Sequence, residues 1–173
     1  MKLFETELAR ALLIVLLMSG TGCAELRQYD ITVNNVTVYE PSSSYTVRGI
    51  EDRALAACLT QSLLDIDAQM AIDLVTLNCS DAGIQSLAGL EQFTQIQSIK
   101  LSSNDIRNLL VLERLPALRQ LWLDDNDVVD PLPVLRMTHL KELSLAGNVG
   151  LQCPDPSDVP RSLSLQLPDH CTR

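Results

Sequence analysis

A period of 22 residues runs through the chain from Leu74 onward. Three full segments read LVTLNCSDAGIQSLAGLEQFTQ from Leu74, IQSIKLSSNDIRNLLVLERLPA from Ile96 and LRQLWLDDNDVVDPLPVLRMTH from Leu118, and a fourth begins LKELSLAGN at Leu140. Within each segment, positions 1, 4, 6, 11, 14, 17 and 20 hold Leu, Ile, Val, Phe, Met or Cys in 20 of 21 places, Pro131 being the exception. In a chain that is 46% hydrophobic, unrelated segments would fill only about ten of those places. A unit this short cannot bury its own apolar face. It has to stack on copies of itself, and the product is a solenoid.

The pattern inside one unit predicts its course. Positions 4 and 6 alternate inward, so each unit opens with a short strand. Position 9 holds Asn104, Asn126 and Asn148. A buried Asn where the chain leaves a strand can satisfy backbone groups on both sides, and stacked copies make a ladder. Ala82 takes that place in the first unit, so the ladder starts one rung late. Beyond the Asn, apolar residues recur every three (Ile106, Leu109, Leu112, Leu115), which suits a 3₁₀ or tight irregular return better than a full α-helix.

These residues resemble the leucine-rich-repeat family, with its pattern LxxLxLxxN, in the 22-residue form of bacterial internalins. The resemblance covers about Leu74 to Leu167. It implies an α/β solenoid, a horseshoe segment with a parallel sheet on the concave side and a 3₁₀ or irregular convex side. The chain has no G-x-G-x-x-G, P-loop or G-x-S-x-G, which excludes a Rossmann-type or α/β-hydrolase reading.

Solenoid ends need covers. IEDRALAACLTQSLL puts Leu55, Cys58, Leu59, Ser62 and Leu63 on one helical stripe, which predicts a capping helix at about 52–64. Upstream, YDITVNNVTVYEPSSSYTVRG alternates apolar and polar around Asn34-Asn35 and the Pro41 turn, which predicts a β meander or hairpin over about 29–49. At the other end, Leu165 and Leu167 stand 22 residues after Leu143 and Leu145, so a fifth strand closes the stack and Pro168 stops it. The expected divisions are a signal peptide at 1–22, an N-terminus with linker and β hairpin at 23–50, a helical cap at 51–73, repeats at 74–150 and a C-terminal cap at 151–173.

The first stretch, MKLFETELARALLIVLLMSGTGC, has Lys2 and Arg10, a short apolar run from Ala11 to Met18, and small residues before Cys23. The run is too short to span a bilayer, which takes about 20 residues, and it fits the apolar core of a secretory signal. A Cys directly after small residues resembles the lipobox of bacterial lipoproteins. That resemblance implies lipid attachment at Cys23, export, and a membrane-anchored protein of the bacterial envelope. Ala24, rather than Asp, resembles the outer-membrane or cell-surface sorting case. Of the five cysteines, four then remain, in an oxidising compartment where disulfides persist. Cys58 lies on the inner stripe of the cap helix and Cys79 in the position-6 core place directly under it. Cys153 and Cys171 flank the last strand in the same way. Of the three pairings four cysteines allow, Cys58 with Cys79 and Cys153 with Cys171 are expected.

Candidate chemistry is sparse. The net charge of −9 repels phosphates, so a nucleic-acid partner is not expected. Residues 124–127 (DDND) with Asp130 invite a Ca²⁺ reading, but Val129 and Leu135 stand where an EF-hand loop needs Gly and Glu. A solvated acidic turn is expected, and no metal. His139 and His170 are the two histidines, and nothing in the repeat brings either to a Ser and an acid. No catalytic residue and no cofactor is expected. Asn35-Val-Thr and Asn78-Cys-Ser match the glycosylation pattern, which a bacterial lipoprotein has no reason to use.

One residue breaks the monotony of the strands. Trp122, the single tryptophan, occupies position 5 between the inward Leu121 and Leu123, so its indole must stand off the sheet. Lys100 and Ser144 hold the same place one unit before and after, about 5 Å away. Gln120 and Asp124 flank it along the strand, and Ser98, Ser102, Glu142 and Ser144 complete a polar surround. An aromatic ringed by polar groups has the composition of a binding hot spot. The expected function is a non-enzymatic, envelope-anchored monomeric module that recognises a protein or peptide on the concave face. The alternative is a structural or spacer lipoprotein without a specific ligand. Five short strands offer roughly 200 Å² of such a face, well below the ~800 Å² per partner of a standard interface, so a short peptide or a weak encounter fits it best.

Overall fold

A computed structural model of the chain describes residues 31–33, 36–39 and 45–172. It divides into two units, 1–43 and 44–173. Cys23 and the N-terminal apolar run lie outside the described residues. In the first unit, β1 (Ile31–Val33) pairs antiparallel with β2 (Val36–Tyr39), with a register shift between Ile31 and Thr32.

The second unit is a parallel-sheet solenoid. Its cap helix α1 (Arg53–Asp65) is followed by β3 (Thr76–Asn78), β4 (Ser98–Lys100), β5 (Gln120–Trp122), the single-turn helix α2 (Leu132–Leu135), β6 (Glu142–Ser144) and β7 (Ser164–Gln166). The five strands β3 to β7 lie side by side in chain order, all parallel. Each pairing is offset by one period, so that Leu77, Ile99, Leu121, Leu143 and Leu165 form one row. A slip of one residue would turn every such row to water, which is why the apolar spacing pins the register.

The periodic apolar residues of the three full units are all buried, from Leu74 at 1% exposure through Phe93 and Ile106 at 0% to Met137 at 5%, while Leu165 and Leu167 of the last coil are partly buried. Pro131, the exception in the pattern, is buried as well and fills the core place with its ring. The returns run through 3₁₀ turns at Leu90–Gln92 and Leu110–Arg114. The third return departs from the expected 3₁₀ or irregular path: α2 is one turn of α-helix. Pro131 and Pro133 sit at its start, where a missing N–H costs nothing, and Asp130 Oδ1 accepts the Leu132 amide at 2.9 Å.

The asparagines at position 9 tie successive coils together. Asn104 Oδ1 accepts from the amides of Ala82 and Ile84, while its Nδ2 donates to the carbonyls of Cys79 and Leu101. Asn126 and Asn148 repeat the arrangement on Ile106 and Val128. Each Asn therefore completes the coil before its own. Ala82 costs the first coil nothing because Asn104 serves it. Position 8, just ahead, adopts positive φ in the first four units: Asp81 56°, Ser103 57°, Asp125 53° and Gly147 73°. That left-handed residue turns the chain off the strand; short polar side chains and glycine tolerate it, and β-branched ones do not.

The ends are covered differently. In α1, Leu55, Leu59 and Leu63 face the core at 0–1% exposure. Asp52 begins the helix: Oδ1 accepts the Leu55 amide and Oδ2 accepts the amides of Gln85 and Ser86, so one carboxylate caps the helix and holds it to the first return. Residues 45–50 belong to this cap, which corrects the expectation of a hairpin reaching to 49. Tyr45 donates its amide to Ala68 and its hydroxyl to Gln92 Oε1, and its ring meets Phe93 edge-on at 6.1 Å. Tyr45, Val47 and Ile50 pack against the core. Their alternation marks an extended chain laid on an apolar surface, which has the same period of two as a paired strand. Disulfides join Cys58 to Cys79 and Cys153 to Cys171, with Cα separations of 5.8 and 5.3 Å. No helix among the described residues is long and apolar enough to cross a membrane.

Candidate functional site

The outer face of the sheet is built from positions 3, 5 and 7 of each coil. Position 3 gives the row Thr76, Ser98, Gln120, Glu142 and Ser164, and position 5 gives Asn78, Lys100, Trp122, Ser144 and Gln166. Trp122 is half-buried, whereas Lys100, Glu142 and Gln166 are exposed. Because Leu121 and Leu123 must enter the core, the residue between them has nowhere to go but outward.

Lys100 Nζ lies 5.2 Å from the centroid of the Trp122 ring. This is a cation–π contact at a solvent-facing site, worth about 0.5–1 kcal/mol. On the side toward β6, Gln120 Nε2 donates to Glu142 Oε2 at 2.9 Å. Asp124 at position 7 receives the hydroxyls of Ser102, at 3.1 Å, and of Ser144. Ser144 also reaches Gln166 Oε1 at 3.4 Å.

The structure therefore brings Lys100, Gln120, Trp122, Asp124, Ser102, Ser144 and Glu142 into one connected patch. Ser98 stands on the same face in the position-3 row. Ser144 does not belong to the exposed surround expected of it: it is 6% exposed. Its small side chain sinks beside the indole and is taken up by Asp124. The consequence is a depression of about 140 Å³ between Trp122 on β5 and Gln166 on β7, lined also by Glu142, Ser164 and the backbone of Leu143 and Leu165.

The remaining polar candidates have structural occupations. Asn126 is 6% exposed in the ladder, and Asp125 and Asp127 use their backbone amides on the carbonyls of Ala146 and Ile106. His139 Nε2 lies 3.1 Å from the Leu115 carbonyl, and its own carbonyl accepts from Arg119 Nη1. His170 has a place the pattern contained and sequence reasoning missed: it stands 22 residues after Asn148, at position 9 of the last coil. Its Nε2 lies 3.0 Å from the Leu151 carbonyl, which it serves as a donor when that nitrogen carries the proton. Ligand atoms of Cys153, His170 and Cys171 fall within 4.8 Å of one another, but the two sulfurs are bonded to each other and offer no thiolate.

Asp52 lies outside the repeat and is a second functional position, although an Asp directly before an apolar stripe is the ordinary start signal of a helix. Its burial alone would raise its carboxyl pKa; the amides of Leu55, Gln85, Ser86 and Ala54 outweigh that and hold it below the usual value.

No protein-family profile and no curated protein matches the sequence. Solved structures do. The functional domain of InlJ from Listeria monocytogenes is 28% identical, with a TM-score of 0.46 over 55% of this chain and 20% of that one. Internalin InlF from the same species is 19% identical, with a TM-score of 0.46 over 68% and 43%. Internalin C2 from Listeria monocytogenes is 16% identical, with a TM-score of 0.58 over 71% of this chain, which spans 60% of that structure. Together with the five parallel strands in one-period register, the likeness to internalin C2 shows that the described chain has the internalin type of leucine-rich-repeat fold.

Proposed function

We propose that the protein is an envelope-anchored binding module that recognises a protein or peptide with the outer face of its sheet, without catalysing a reaction. The observation that carries this reading is Trp122. A leucine-rich-repeat scaffold needs nothing aromatic at position 5, and four of five strands supply only Asn, Lys, Ser or Gln there. A large ring held on a rigid sheet, with polar side chains on every flank, has the make-up of an interface anchor. The two disulfides favour an oxidising compartment, and lipid attachment at Cys23 would place the module at a membrane.

The test combines position and anchor. A photo-crosslinking residue at Ser98 is expected to capture a partner in intact envelopes, and one at Glu113 on the return side is not. Trp122→Ala is expected to abolish the adduct by costing about 2 kcal/mol or more, a loss of affinity of roughly 30-fold, with the melting temperature nearly unchanged. Capture from Glu113 alone would overturn the reading. Cys23→Ser is expected to release the protein from membranes; a variant that stays bound would remove the anchor.

One observation favours a spacer without a ligand: Lys100 already covers the ring. In that case Trp122→Ala lowers the melting temperature by several degrees and leaves any adduct intact.

A further inference from the structure

Trp122 has two neighbours of opposite character. Toward β4 its ring is met by Lys100. Toward β6 it borders the depression of about 140 Å³, whose rim carries Glu142 and Gln166 and whose base is the strand backbone at Leu143 and Leu165. The depression exists because position 5 of β6 is Ser144, which is sunk to 6% exposure, while its neighbours in the same row are a tryptophan and a glutamine. It is far below the ~300–1,000 Å³ of small-molecule sites and matches one amino-acid side chain.

Its chemistry selects the kind. One wall is an indole, whose electron-rich face attracts cations, as Lys100 demonstrates on the same ring. The rim holds the Glu142 carboxylate, which spends one oxygen on Gln120 and has capacity for further donors. Gln166 Oε1 adds an acceptor. Between the rim residues the backbone of Leu143 and Leu165 closes the base, since their side chains turn into the core, and a methylene stem can lie along the indole. Among the described residues the one ion pair joins Arg114 to Glu91, so neither Glu142 nor Asp124 is neutralised by a cation of its own.

We infer that this notch is a binding subsite for a single Lys or Arg side chain presented by the partner, with the stem along the Trp122 indole and the cationic head between Trp122 and Glu142. The inference rests on the outer sheet face being the binding face, and it adds the chemical identity of what is bound there.

The sole tryptophan makes the notch its own reporter. The full chain is titrated with N-acetyl-arginine amide, N-acetyl-lysine amide and the neutral N-acetyl-norleucine amide at constant ionic strength, and Trp122 emission is followed. Both cations are expected to give a saturable change in the millimolar range, and norleucine none. Ser144→Leu, which fills the notch, is expected to abolish the response. Glu142→Lys, at an exposed position that tolerates change, is expected to weaken it by roughly fivefold or more and keeps the test open if the leucine variant does not fold.

An equal response to norleucine, no saturable response to either cation, or a cation response that survives both substitutions would overturn the inference. Such a failure leaves the crosslinking result at Ser98 standing. Conversely, a cation-selective notch with no crosslinked partner would remove the binding-module reading and not the subsite.

Discussion

Asn126 Oδ1 accepts the amide of Ile106, twenty residues behind it, at 3.0 Å, while the same side chain's Nδ2 donates to the carbonyls of Leu101 and Leu123. One amide thus satisfies groups in two coils. Asn126→Ala leaves a buried N–H and two buried carbonyls without partners, at about 1–3 kcal/mol for each group left unsatisfied. The expected outcome is a loss of several kcal/mol in urea unfolding, larger than for any single Leu→Val change in the same coil. Hydrogen exchange at Ile106 should accelerate more than at residues of β3.

Asp52 sets an acid limit on stability. Its carboxyl pKa is lowered in the folded protein, because the backbone donors outweigh burial. A group whose folded pKa lies below its unfolded value stabilises the fold above the unfolded pKa and loses that contribution as pH falls through the folded one. The wild type should therefore lose stability below the ordinary Asp value of 3.8. The difference between wild type and Asp52→Asn should shrink over the same range. At neutral pH the Asn amide would present donors to the Gln85 or Ser86 amides, and a cost of about 1 kcal/mol or more is expected in thermal unfolding.

Gly89 sits at φ 93°, and a Cβ there would stand 2.5 Å from the Gly49 carbonyl oxygen and 2.6 Å from Ile50 Cδ1. Gly89→Ala meets both a disfavoured conformation and a backbone atom that cannot swing away. A loss of more than about 1–2 kcal/mol is expected, with residues 45–50 protected less from exchange. Gly83, also at positive φ, has nothing within 4 Å, so Gly83→Ala should cost only the conformational part.

The two bridges should open in order. Cys153 is exposed, whereas Cys79 is 2% exposed in the core. Limited dithiol reduction followed by alkylation is expected to label Cys153 and Cys171 before Cys58 and Cys79, since exchange needs access to a sulfur. Loops of 21 and 18 residues correspond to roughly 3 kcal/mol each. A denaturation midpoint that falls in two steps on progressive reduction checks this.

What the sequence disclosed follows from how each feature is encoded. The strand rows, the core and the solenoid are periodic, and a period is visible without coordinates: Leu121 and Leu165 could be assigned to one row by counting. Trp122 stood out for the same reason, as a departure from a repeating place. Features set by single contacts across the period were not visible. Nothing adjacent to Asp52 announces that its second oxygen binds Gln85 and Ser86, more than thirty residues on. Ser144 reads as one more polar residue of the face until Asp124 draws it down. Residues 45–50 misled because an extended segment pressed on a core has the alternation of a strand.

The ladder, in which each Asn completes the coil before its own, makes this chain divisible. Excising residues 96–117 would join Gln95 to Leu118, return every apolar place to the neighbour of its own kind, and hand Ile84 from Asn104 to Asn126. A cut that is not a whole number of periods would turn a row of leucines to solvent. Such an excision removes Lys100 and sets Trp122 beside Asn78, leaving the notch toward Gln166 in place. The length of the scaffold and the identity of what it recognises are therefore separable quantities: whole coils can be lost or gained with the hydrogen bonding intact, while the contacts of the indole change with every one.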